Sequence, residues 1–207
     1  ARECWEVRRV MEVTAEQLNQ VSEKLRGCPQ QVNAALTNAA NRAMMTARRV
    51  AWDAVHKQYT IKKTEFYRKT SIRTYRANRQ SLGAAVEFGG YVIPLINFGV
   101  ESYRSHERSR IRRYKVEVFR GIPKDLWHAY VTNLGRYGTN VFERVSSGKR
   151  ASQTLYGPSA AHMVENGEVL AEMNKAAKAT FDNRLEHEVD RILRGLGGKG
   201  HLEHSVW

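Results

Sequence analysis

The chain has 207 residues, with 34 Lys and Arg against 21 Asp and Glu, a formal net charge of +13. A hydrophobic fraction of 42% suits a folded core, and 4 prolines are too few for a linker-rich chain, so extended disorder is excluded outside the ends and one basic loop. Such a charge excess repels itself and favours a negatively charged neighbour: nucleic acid first, an acidic protein face second, an anionic membrane surface third.

Cys4 and Cys28 are the only cysteines, too few for a disulfide framework or a four-thiolate metal site. With nothing like a secretory signal ahead of them, they are expected as reduced thiols in a cytoplasmically made protein. No apolar run approaches the roughly 18 residues that a membrane-crossing helix needs.

The first predicted helix opens at Thr14, where Thr14 and Gln17 form a capping box, and runs through Leu18, Val21 and Leu25 to Gly27. Pro29 starts the next, which continues to about His56. Its apolar stripe is Val32, Leu36, Ala39, Ala43, Ala47, Val50 and Ala54, and so many alanines imply a partner packed close to the backbone. Arg42, Arg48 and Arg49 lie off that stripe, where a solvated basic face is at least as good a reading as a binding role.

From Lys57 to Arg79 only Glu65 opposes a run of cations that includes Lys62, Lys63, Arg68, Lys69 and Arg73. Ile61 to Arg68 fits a short helix, and Ser71 to Ala77 and Gly83 to Phe88 fit strands. Tyr91 to Phe98 is the most apolar segment, and Pro94 argues against a central strand there. It is expected as a core-plugging loop or short helical turn, with Ile93, Leu95 and Phe98 in the core. Residues 101–113 carry Arg104, Arg108, Arg110, Arg112 and Arg113 with no hydrophobic periodicity before Ile111, which predicts a mobile basic loop.

Strands are predicted at Tyr114 to Arg120, Ala129 to Asn133 and Thr139 to Ser146, too closely spaced for crossover helices, so the sheet should be mostly antiparallel. Pro158 and Ser159 open a short helix. A long one follows from about Glu168 to Leu193, with Leu170, Met173, Ala177, Phe181, Leu185, Val189 and Ile192 on one face. The expectation is an α+β fold: a mostly antiparallel sheet packed with long N-terminal and C-terminal helices, in one domain over residues 1–207.

No catalytic or metal constellation emerges, so an enzyme is not expected and no cofactor is implied. The seven histidines never take the spacing of a zinc helix, and Glu186-His187-Glu188 fits a solvated helix face better than a metal site. Asp53 and His56 have no nucleophile beside them in sequence, and the Gly195 to Gly200 run lacks the spacing of a phosphate loop. The basic residues stand out from this background. Lys62, Lys63, Arg68, Lys69, Arg73, Arg104, Arg108, Arg110, Arg112 and Arg113 are the candidates for contact with DNA phosphates or with an acidic partner.

A long Ala-rich helix runs into Tyr59-Thr60-Ile61-Lys62-Lys63, followed by Ile93-Pro94-Leu95-Ile96-Asn97-Phe98, then Ala129-Tyr130-Val131, Val141-Phe142-Glu143-Arg144 and Leu155-Tyr156-Gly157-Pro158-Ser159. In this order, over about residues 29 to 165, the chain resembles the phage minor tail protein Z, or tail completion, family. The resemblance implies a structural protein of the virion neck or proximal tail that completes the tail and joins it to the head connector. It also implies a homo-oligomeric ring with the genomic DNA passing through its lumen. The neighbours would be a tail terminator or tail tube protein and a head connector or adaptor protein, with no membrane. Two other classes stay open on the residues alone: a free, sequence-independent nucleic-acid-binding protein, and an enzyme assembled from scattered residues.

Overall fold

The computed structural model describes residues 29–104, 112–133, 135, 138–144 and 152–194. The predicted helix from Thr14 to Gly27 lies outside them, as do Cys4, Cys28, Arg108 and Arg110. The described chain is α+β. Helix α1 spans Pro29–Gln58 and α2 Lys63–Lys69. Strands β1 (Thr70–Tyr75), β2 (Ala85–Gly90) and β3 (Val92–Pro94) lead into a 3-10 turn at Leu95–Asn97. Then come β4 (Gly99–Arg104), β5 (Arg112–Phe119), β6 (Ile122–Leu126), β7 (Ala129–Asn133), β8 (Thr139–Arg144), β9 (Ser152–Thr154) and β10 (Tyr156–Ser159). Helices α3 (Ala160–Glu165) and α4 (Gly167–Leu193) complete it.

The strands form four small sheets rather than one: β1-β2, β10-β3, β4-β5-β6 and β7-β8-β9. The β10–β3, β4–β5, β5–β6, β7–β8 and β8–β9 pairings are all antiparallel. The chain groups into two compact units. Unit 1 comprises Ala51–Ile72 and Phe88–Leu170; unit 2, among the described residues, comprises 29–50, 73–87 and 171–194.

In α1 the small-residue stripe is buried as its spacing requires: Leu36, Ala39, Ala43, Ala47 and Ala54 are all covered, joined by Ala35, Ala40, Met44, Ala51 and Val55. The face is wider than the predicted stripe, which is what a helix buried on more than one side shows. On α4, Met173, Ala177, Phe181 and Val189 are buried at helical spacing. Ser159 caps α3 by accepting from the His162 backbone amide, which fixes the start of that helix where Pro158 and Ser159 suggest it.

The basic loop expected over 101–113 needs correction at both ends. Glu101 to Arg104 belong to β4, and Arg112 and Arg113 to β5, paired as Tyr103↔Arg113 and Arg104↔Arg112. The reason is continuity of pairing. The β4–β5 ladder begins at Gly99↔Glu117, and Val100 opposite Val116 anchors it, so the register carries past the last apolar residue into the charged run. Residues 105–111 lie outside the described residues.

Tyr91 to Phe98 splits into a three-residue strand and a 3-10 turn. Ile93, Leu95 and Phe98 are buried, and Pro94 sits at the end of β3. The Phe98 ring packs so close to Gly157 that a Cβ there would stand 2.5 Å from it, so β10 needs glycine at this point. Leu95 donates its backbone amide to Leu155 O at 3.0 Å, and Leu155 donates to Val141 O at 2.9 Å. These bonds tie the turn to β8.

Candidate functional site

In unit 1 the end of α1 is fastened to the β4-β5-β6 sheet by the residues that follow it. Tyr59 is buried, bridges to Phe119 and packs its ring against that of Phe119 in a tilted arrangement, centroids 4.7 Å apart. Thr60 donates its backbone amide to Val118 O at 3.1 Å and its hydroxyl to Glu117 O, while that hydroxyl accepts from Gly99 N at 3.2 Å. Ile61 is buried beside them. At the same corner Arg120 donates from Nε to His56 O at 2.6 Å. The Tyr59-Thr60-Ile61 run therefore has a structural task, joining helix to sheet, and Lys62 and Lys63 follow it exposed at the start of α2.

Among the described residues the candidate cations lie on several different elements. Lys62, Lys63, Arg68 and Lys69 belong to α2 and its entrance, and Arg68 is paired with Glu65 at 2.6 Å. Arg73 lies on β1 in unit 2, 3.9 Å from Glu87. Arg104 and Arg112 are brought together: they face each other across the β4–β5 ladder, both exposed and with no side-chain ion pair or hydrogen bond among the described residues. Like charges directly opposite destabilise a ladder. The adjacent Arg113 lies over the Trp127 ring at 4.8 Å, a cation–π contact. Tyr103, opposite Arg113, donates to Asp125 Oδ1 at 2.8 Å, and that bond holds its phenol above the ordinary value.

Two clefts were not anticipated. The first, of about 700 Å³ in unit 1, is lined mainly by apolar side chains of β5, β6 and the β9–β10 segment. Ile122 is 68% exposed there, Trp127 62%, Tyr156 54% and Phe119 42%. Its charged lining is one lysine, Lys124, against Asp125 and Glu143. Strand β6 borders it, paired only with β5 among the described strands, and Pro123 and Lys124 sit on that edge. In sequence these residues are isolated apolar positions in polar surroundings. Only the number of large aromatic residues from Phe119 to Tyr156 hints at a shared surface.

The second cleft, of about 610 Å³, lies within unit 2 and is lined by Asn38, Asn41, Arg42, Met44, Met45, Arg76, Arg184, Glu188 and Arg191. Glu188 is the buried member of the Glu186-His187-Glu188 run. It serves as a counter-ion: its side chain meets Arg184 at 2.7 Å and Arg191 at 3.8 Å. Among the described residues no three His, Cys, Asp or Glu side chains come together as metal ligands. Nor is any helix among them long and apolar enough to cross a membrane.

Against known proteins, the family model described as prophage minor tail protein Z (GPZ) matches residues 11–197. No curated protein and no solved structure matches the chain.

Proposed function

The chain belongs to the prophage minor tail protein Z family, a structural component of the phage tail, and we propose that it works at the neck or proximal tail. There it completes the tail and joins it to the head connector, as a ring of identical subunits around the DNA. Its neighbours in this reading are a tail terminator or tail tube protein on one side and a connector or adaptor protein on the other.

The observation that carries this reading is the Arg104–Arg112 pair. Two exposed arginines held opposite each other by backbone register repel in the isolated subunit, and an anion set against them removes that repulsion. With a net charge of +13 per subunit, a ring multiplies the effect around a lumen filled with phosphate. The apolar groove of unit 1 supports self-association. Aromatic side chains this exposed are typical of interface cores. A second copy fits there better than on the basic faces, because one lysine against two carboxylates lets another +13 chain approach without repulsion.

Averaged electron microscopy of virions with this chain tagged tests the placement. Density for several copies in a closed ring at the head-proximal end of the tail is expected. Label at the distal tip would overturn it.

A further inference from the structure

We propose that the arginine-lined cleft of unit 2 is a binding site for phosphate groups, separate from the basic residues of α2 and the β4–β5 ladder. Four arginines, Arg42, Arg76, Arg184 and Arg191, line it against the single carboxylate of Glu188.

The cleft is built rather than merely basic. Arg76 is placed by its neighbour: Asn41 grips the backbone of Ala77 at both ends, accepting from Ala77 N at 2.9 Å and donating to Ala77 O at 3.1 Å. That clamp fixes the exit of β1 against α1, next to Arg42 in sequence. On α4, Arg184 and Arg191 lie four and three residues either side of Glu188, so one helix face presents all three. Glu188 is 2% exposed. A carboxylate so buried persists as a charge only when paired, and it holds both arginines in place. Arg184 Nη2 stands 2.7 Å from Glu188 Oε1 yet off the hydrogen-bonding direction, so this oxygen has no directed hydrogen bond among the described residues and the contact is one of charge.

The cations exceed what Glu188 can neutralise. The side chains of Arg42 and Arg76 are exposed and make no ion pair or hydrogen bond among the described residues. Four guanidinium forks offer far more N–H donors than one carboxylate accepts, and phosphate, with several oxygens, uses such forks two bonds at a time. A volume of about 610 Å³ exceeds the needs of one phosphate and suits a phosphodiester chain or a polyphosphate. The inference does not depend on the tail role proposed above, and it concerns residues on other elements.

Binding of a short fluorescent DNA duplex to the full chain, followed by anisotropy at graded salt, tests it. The variants are Arg42→Ser/Arg76→Ser and, as a control on the same helix, Arg48→Ser/Arg49→Ser. All four positions are exposed, so both variants should keep the wild-type melting curve. Loss of two phosphate contacts should weaken binding roughly 10-fold at about 0.15 M salt and lower the log–log salt slope by about 2. The control should lose less than about threefold. Pyrophosphate should displace the duplex from wild type and not from the cleft variant. Pyrophosphate binding that needs the cleft, without any duplex binding, would support the same phosphate chemistry with a free anion as its source. Equal losses in the two variants would overturn the site in favour of diffuse attraction. Cleft-dependent binding of poly-glutamate tighter than that of either phosphate probe would overturn its ligand class.

Discussion

The two clefts of this chain are close in volume, about 700 Å³ in unit 1 and about 610 Å³ in unit 2, yet opposite in chemistry. The first is walled by aromatic and aliphatic side chains from strands and closely spaced loops. The second is walled by arginines from two helices and the exit of β1. Strands place alternate residues on opposite faces, so a sheet edge such as β6 can leave Ile122 facing outward with no cost to the ladder, and Trp127 follows exposed just past the strand's end. Helices place residues three and four apart side by side, which lets Glu188 serve Arg184 and Arg191 together. Each unit uses the periodicity of its elements to make a different kind of surface: one suited to association by burial, the other by charge.

The comparison is sharpest where the apolar cleft rests on the core. Phe98 is buried against Gly157, and Leu95 is buried beneath the cleft it lines. Phe98→Ala should therefore cost about 3–5 kcal/mol and Leu95→Ala about 2–5 kcal/mol in chemical denaturation. A change below about 0.5 kcal/mol at both sites would mean that the segment is not core, and the cleft would lose its rigid floor.

Next in size is the contrast between association and stability. Ile122→Ser and Trp127→Ser remove apolar area that the folded subunit leaves exposed, so stability should move by no more than about 0.5 kcal/mol at Ile122 and about 1 kcal/mol at Trp127, whose ring also carries Arg113. Self-association, read by sedimentation at graded protein concentration, should fall by about tenfold or more, as for central aromatic residues in protein interfaces. Unchanged association with both substitutions would separate the groove from the ring contact. Arg104→Ser/Arg112→Ser should do the reverse of a core change. It should leave stability equal or a few tenths of a kcal/mol higher, because a like-charge cross-strand pair is gone, while completed particles decrease. Amide exchange across Ser102 to Arg104 and Arg112 extends the test: protection by the ladder is expected in the free subunit and should deepen on assembly.

These surfaces differ in how far the sequence announces them. The helices were legible because their period persists: the alanine stripe of α1 and the Met173-Ala177-Phe181 face of α4 each continue through several turns. Strands β6, β9 and β10 were not, since Pro123, the polar Ser152 and Gln153, and Gly157-Pro158 are residues that ordinarily end strands. They pair because neighbours supply the register. The ends of the arginine run were misread for the same reason, as Arg104 and Arg112 are strand residues through their opposite numbers. The arginine cleft was hidden more deeply. Arg42, Arg76 and Arg184 are far apart in the chain, and the Asn41–Ala77 clamp that brings two of them to one wall has no local signature.

The smallest expected effect sits beneath the apolar groove and reports on its environment. Tyr59 is buried, its hydroxyl accepts from Asn166 Nδ2 at 3.4 Å, and its ring lies against Phe119, which lines the groove. Burial disfavours the phenolate and raises the pKa above the ordinary value near 10, while the Asn166 bond opposes the rise and is the weaker influence. The sign follows from linkage: a phenol whose folded pKa exceeds its unfolded value adds stability that is fully present below about pH 10 and is lost as pH rises through the folded pKa. Phenolate absorbance of wild type minus Tyr59→Phe should therefore show Tyr59 ionising at higher pH than an exposed tyrosine. The variant should also lose less stability than wild type between neutral and strongly alkaline solution. If a second copy covers the groove, the difference should grow with protein concentration, because further burial around Phe119 penalises a charge beneath it still more. A Tyr59 that titrates like free tyrosine would mean that water reaches under Phe119, and the apolar cleft would be an open seam rather than a surface shaped to receive a neighbour.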